Sequence, residues 1–186
     1  LPNMGALMAN PFVLLAAAIL PGLFYLVLYY RKDEHRKEPI GVVVKTFAWG
    51  AATVIPIGLF QTLFEGEKLE GFAPAYAVYM ILIVGITEEF AKWLVIRFYS
   101  YRQPAFDEMT DGIIYGAAAG GGFAVFENIF YVMDHGFGTA VLRAVLSVPA
   151  HIFWGVISGY WLAMYRFGGT PRFAMMQKGV LFSALM

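Results

Sequence analysis

The chain has 186 residues, of which 60% are hydrophobic, 17% aromatic and only 14% charged, against roughly 25% charged in an ordinary soluble domain. Its 13 basic and 13 acidic side chains cancel, so there is no bulk positive field of the kind that draws a protein to nucleic acid. There is no cysteine, which removes disulfides, thiolate nucleophiles and cysteine-based metal sites.

Apolar runs occur in chain order at 11–30, 40–64, 74–99, 111–133 and 138–166, and a sixth starts near Lys178 and is still too short to cross at Met186. About 20 apolar residues span a bilayer core, and continuous runs that do not alternate imply helices rather than barrel strands. The expected fold is therefore all-α, a polytopic transmembrane helical bundle of at least five spans plus the start of a sixth. No period of 20–50 residues repeats, and 1–186 reads as a single domain. The first run is no signal peptide in pattern, because no basic residue precedes it and it ends in Tyr29-Tyr30-Arg31-Lys32 instead of a small-residue cleavage site.

Charge sorts the connections. Segment 31–38 carries Arg31, Lys32, Arg36 and Lys37, segment 97–110 carries Arg97 and Arg102, and Arg166, Arg172 and Lys178 follow the fifth run. Segment 65–73 has one Lys and three Glu, and 134–137 has no Lys or Arg. The positive-inside rule makes the first group cytoplasmic and the second external, with the N-terminus outside. Glu38-Pro39 reads as the start of the second span, where a missing N–H is harmless.

The third span reads Gly85-Ile86-Thr87-Glu88-Glu89-Phe90-Ala91-Lys92-Trp93. On a soluble helix, Glu88 and Lys92 at i,i+4 would be a surface ion pair contributing tenths of a kcal/mol. Within an apolar span, each charge costs about 2.5–3.5 kcal/mol on insertion scales. Helix packing alone is a weak reason for three of them. Glu88 and Lys92 share a face, and Glu89 still reaches Lys92 at i,i+3. Adjacent carboxylates out of water beside one ammonium are a setting in which a general base is made.

The fourth span, from Asp111 to Asn128, holds a Gly/Ala stretch suited to close backbone approach, with Phe123 and Glu127 on one face and Glu127-Asn128 as a second polar pair. The fifth carries His151 behind Pro149, with Gly155 and Gly159 one and two turns on. Alone, a membrane Glu is often protonated and bonded to a carbonyl, and a membrane His is often a satisfied core residue. Arg143, near the outer end, reads as a snorkelling side chain. Depth argues for a cluster. At about 1.5 Å per residue, Glu88 lies roughly 21 Å above Arg102, Glu127 about 24 Å above Asp111, and His151 about 22 Å above Arg166. All three fall in one layer of the outer half. There is no His-Glu-x-x-His signature, no membrane aspartate pair and no Gly-x-Ser-x-Gly elbow, which leaves carboxylate and imidazole chemistry. Two other classes use the same groups: a proton- or ion-coupled transporter, for which no inverted repeat is visible, and a metal-dependent hydrolase.

The ordered set of residues resembles the PrsW family, bacterial membrane proteases that make the first cut in anti-sigma factors and are distantly similar to the glutamate-type CAAX prenyl endopeptidases. The resemblance runs through Lys37-Glu38-Pro39, Glu88-Glu89-x-x-Lys92, Phe106-Asp107-Glu108, Asp111-Gly112-Ile113-Ile114-Tyr115-Gly116, Gly122-Phe123-x-x-x-Glu127-Asn128, Arg143-Ala144 and Ser147-Val148-Pro149-x-His151 with Gly155. The family pattern continues into a last helix with a second His and an Asp, beyond the sequence given. The resemblance implies that Glu88 activates a water with help from Glu127. It implies that His151 polarises the carbonyl or holds the oxyanion, and that Glu89 and Lys92 tune and orient the base. Phe123, Asn128 and Gly155 are supporting residues. It implies an intramembrane endopeptidase in the bacterial inner membrane, with a single-span membrane protein as substrate and the bilayer as its other partner. No cofactor is expected, since only one intramembrane His is present; if zinc is bound, Glu88, Glu127 and His151 are its ligands.

Overall fold

The computed structural model describes residues 4–32, 36–64 and 66–168. In order these form α1 (Met4–Met8), α2 (Pro11–Lys32), α3 (Ile40–Ala52), α4 (Val54–Thr62), a 3-10 turn (Gly66–Leu69), α5 (Ala73–Tyr79), a π-helical segment (Met80–Gly85), α6 (Ile86–Phe98), a second 3-10 turn (Ser100–Arg102), α7 (Met109–His135), α8 (Phe137–Val145) and α9 (Ser147–Phe167). Among the described residues there is no strand, and the architecture is the polytopic helical bundle that the apolar runs require. The expected sixth span lies outside the described residues.

Four stretches, Pro11–Lys32, Ile40–Thr62, Met109–His135 and Phe137–Phe167, are long and apolar enough to cross a membrane. Three expected spans are interrupted. The second is divided into α3 and α4 at Thr53, with Pro56 in the first turn of α4. The fifth breaks at Leu146, where Pro149 lies in the first turn of α9 and has no N–H to continue the ladder from α8. The third, 74–99, is helical throughout but passes through the π segment just before Glu88. Such π insertions are most often found at functional sites.

The fold is built around α7, which packs on α9, α3 and α2. Its Gly/Ala stripe explains how. A Cβ at Gly112 would strike the Gly159 backbone, one at Gly116 the Gly155 backbone, and one at Gly120 the His151 backbone, while Gly122 lies against Phe47 of α3. Backbone therefore meets backbone, the close packing that small residues permit in a membrane. Phe12, Leu20, Leu59, Leu63 and Leu142 are exposed on the outside, as suits helices whose surroundings are lipid chains.

At the end of the bundle where α7 begins, Phe106 is fully buried and stacks on Tyr115 and Phe167. Asp111 closes the capping box of α7, accepting the N–H groups of Asp107 and Glu108 at 2.6 Å each. Tyr115 donates its hydroxyl to the buried Glu38 carboxylate, and Arg36 pairs with Asp107 at 2.6 Å on the surface. This ties the 36–39 segment to the start of α7, so the α3 and α7 backbones enter in fixed register.

Candidate functional site

Glu88 and Glu89 lie in the first turn of α6 and Lys92 one turn later, all three buried. The π segment ahead of them sets which way this turn faces. Glu89 takes the lysine: Lys92 Nζ donates to Glu89 Oε1 at 2.6 Å and sits 4.6 Å from the centre of the Phe123 ring. Glu88 makes no hydrogen bond to the ammonium among those described and lines a cavity.

His151 comes from the second turn of α9, held against α7 where Gly120 allows the backbones to touch. Its Nδ1 is 2.8 Å from Lys92 Nζ. An ammonium can only donate, so Nδ1 accepts, and the ring proton belongs to Nε2. That Nε2 lies 3.0 Å from Glu127 Oε2 and donates to it. Nδ1 is also 4.0 Å from Glu88 Oε2. The Phe123 ring packs 5.3 Å from the imidazole, and Gly155, one turn on from His151, contacts the Gly116 backbone and keeps α9 close.

The structure brings together Glu88, Glu89, Lys92, Glu127 and His151, from three separate helices. It also adds Arg143, which sequence reading left as a snorkelling side chain. Arg143 instead turns inward with 16% side-chain exposure. Its Nη2 pairs with Glu127 Oε2, its Nε donates to Asn128 Oδ1 at 2.5 Å, and its guanidinium lies 4.1 Å from the Tyr131 ring centre. The break at Leu146 aims α8 so that this happens. The signal available in the sequence was the adjacent Glu127-Asn128 acceptors, which need a donor once removed from water. Gln61, which follows the apolar run Val54–Phe60 in α4, has no counterpart in the sequence reading. Its Nε2 reaches Thr87 Oγ1 at 3.2 Å and Glu88 Oε1 at 3.5 Å.

A cavity of about 440 Å³ opens beside these groups, lined by Gln61, Glu88, Glu127, Tyr76, Tyr79 and Tyr131. Lys68 and Glu70, from the segment expected outside, also line it. Two carboxylates therefore face a polar space that can hold water and a peptide, with cations behind them.

Glu88, Glu127 and His151 each offer a ligand atom, all within 4.8 Å of one another. Two carboxylates and one imidazole match the donor types of three-ligand hydrolytic zinc sites. An ion on His151 Nε2 would displace the proton directed at Glu127 to Nδ1, and Lys92 would then release its bond to that nitrogen. The donor set fits a metal.

A family model described as PrsW family intramembrane metalloprotease matches residues 38–186. Protease PrsW of Geobacillus kaustophilus is 37% identical over 161 residues, covering 87% of this chain and 70% of that protein. Protease PrsW of Bacillus subtilis is 38% identical over 156 residues, 84% of this chain and 70% of the relative. Protease PrsW of Clostridioides difficile is 32% identical over 166 residues, covering 87% and 68%. No solved structure matches.

Proposed function

The chain belongs to the PrsW family of intramembrane proteases, and on that premise we propose that it makes the first cut in a single-span membrane protein of the anti-sigma factor type. The observation that carries the reading is the meeting of Glu88 and Glu127 on one cavity wall, with His151 between them and Lys92.

Glu88 is the proton acceptor. A water in the cavity gives a proton to its carboxylate as the oxygen adds to the peptide carbonyl carbon. The C–N bond then breaks, and the departing nitrogen takes the proton back from Glu88, leaving an acid and an amine. General-base assistance of this kind contributes about 10²–10⁴-fold. Glu127, fixed by Arg143 and by the Nε2–H of His151, faces the same space and orients the water. Glu89 holds Lys92, and Lys92 holds the imidazole by Nδ1. His151 acts here as the positioning group for Glu127, since both ring nitrogens are engaged. The Lys/Arg distribution supports cleavage near the outer face of a bacterial inner membrane, with the N-terminus outside.

A second reading keeps the residues and adds zinc, favoured by the family description and by the donor set of Glu88, Glu127 and His151. A bound zinc would supply a water that ionises near neutral pH and a positive charge toward the carbonyl. Elemental analysis separates the two. One zinc per chain, lost together with activity on chelation, establishes the metal form; full activity in metal-free protein establishes the other.

The relay reading, ion-coupled transport through the same cluster, finds no counterpart among the relatives above, which are named as proteases. Co-expression with single-span anti-sigma-type proteins tests the activity itself. The reading expects a shortened membrane fragment with the wild-type chain and none with Glu88→Gln. Equal fragment yields from both would contradict it.

A further inference from the structure

Peptide hydrolysis needs a donor for the carbonyl oxygen as well as a base. Lys68 lines the cavity from the 3-10 turn Gly66–Leu69, but the donors packed around Glu89 and Glu127 do not. Lys92 is fully buried against Glu89, His151 and the Phe123 ring. His151 directs its Nε2–H at Glu127. Arg143 is taken by Glu127 and Asn128. None of the three lines the cavity that Glu88 and Glu127 share.

Gln61 does line it. It is the one amide on α4, whose sequence Val54-Ile-Pro-Ile-Gly-Leu-Phe60 is otherwise apolar, and a polar group in a membrane helix is by default a functional candidate. Its position is fixed twice. The Tyr79 hydroxyl donates to the Gln61 backbone carbonyl at 3.4 Å, and the side-chain nitrogen donates to Thr87 Oγ1, whose own proton goes to Ile83 O at 2.6 Å. A primary amide has two N–H groups. With one on Thr87, the other is directed at Glu88 Oε1 across a long 3.5 Å contact, which it can exchange for an oxygen beside Glu88 once that carboxylate has taken a proton. An oxyanion must form within about 3 Å of its donor while the attacking water is within reach of the base, and Gln61 is the cavity-lining donor that stands this close to Glu88.

We propose that Gln61 is a further catalytic residue, whose side-chain amide donates to the carbonyl oxygen of the scissile peptide while Glu88 takes the proton of water. This rests on the hydrolytic reading above. The donor strengthens its hydrogen bond as the carbonyl oxygen gains charge, so its removal is felt in kcat. Loss of one such donor lowers kcat by about 10²–10³-fold.

The test compares Gln61→Met, Gln61→Glu, Thr87→Val and Glu88→Gln in purified full-length protein, with a single-span substrate cleaved by wild type. Gln61→Met and Gln61→Glu should each lose about 10²-fold in kcat with KM within a few-fold of wild type, at unchanged yield and thermal midpoint. Thr87→Val, which removes only the hydroxyl that steadies Gln61, should lose far less. Wild-type kcat in Gln61→Met, a change confined to KM, or an equal loss in Thr87→Val overturns the assignment. An inactive Glu88→Gln beside an active Gln61→Met sinks this inference alone, whereas an active Glu88→Gln sinks the hydrolytic reading beneath it.

Discussion

Gly120→Ala puts one methyl where α7 and α9 touch. The added Cβ would stand 3.0 Å from both the His151 carbonyl carbon and Ile152 Cα, and closer still to the His151 carbonyl oxygen. All are backbone atoms of α9, so no side chain can swing aside. The helices are also held at Gly116/Gly155 and Gly112/Gly159, and α7 is backed by Phe47 at Gly122. Alanine gains up to about 1 kcal/mol in helix propensity, while overpacking costs about 1–3 kcal/mol. The net change is destabilising by up to roughly 2 kcal/mol. The effect on rate is larger. A shift of the α9 backbone by about 1 Å draws His151 from its 3.0 Å bond to Glu127, and misplacement of that size costs on the order of 10²-fold. Gly41→Ala is the control, since nothing lies within 4 Å of its added methyl. Thermal midpoints in detergent and cleavage rates of the two variants decide the matter. Gly120→Ala as stable and active as Gly41→Ala would refute backbone contact as what places His151.

Arg143→Met leaves Asn128 Oδ1 without its donor and Glu127 with only the His151 Nε2–H and should destabilise by about 3–5 kcal/mol; the double variant Glu127→Gln/Arg143→Met should recover most of that stability without recovering cleavage, as denaturation curves and rates would show. Tyr115→Phe removes the hydroxyl that Glu38 accepts and should cost about 1–3 kcal/mol, read as a lowered midpoint with the rate per folded molecule unchanged. A reporter fused after Gly71 should read as external, and one in segment 97–110 as cytoplasmic, because of the Lys/Arg asymmetry.

The sequence made the spans legible because length and hydropathy are local quantities, and it made the Glu88/Glu127/His151 layer legible because helical rise converts residue counts into depth. The glycine stripe of α7 announced close packing for the same reason. What it could not show depends on direction rather than depth. The π segment at Met80–Gly85 changes how α6 faces its neighbours by an amount no propensity encodes, and which of Glu88 and Glu89 pairs with Lys92 is a choice of side-chain rotamer within α6. The break at Leu146 redirected Arg143 inward, although the residue itself looks like any basic group near an interface. Gln61 was invisible because a single amide in an apolar run gains meaning only from Thr87 and Glu88, both on another helix.

The central claim is that carboxylate chemistry at Glu88, assisted by Glu127, cuts the peptide bond. Glu88→Gln preserves volume and hydrogen-bonding capacity, so this protein should accumulate normally and retain bound substrate, since a base acts mainly in the transition state; Glu127→Gln takes the counter-charge from Arg143 and is compared per folded molecule. The direct measurement is the single-turnover cleavage rate of each with substrate already bound. Glu88→Gln should fall by about 10²–10⁴-fold, Glu127→Gln should cleave little or not at all, and Glu89→Gln should lie between these and wild type. A folded, substrate-bound Glu88→Gln that cleaves at the wild-type rate would contradict the account.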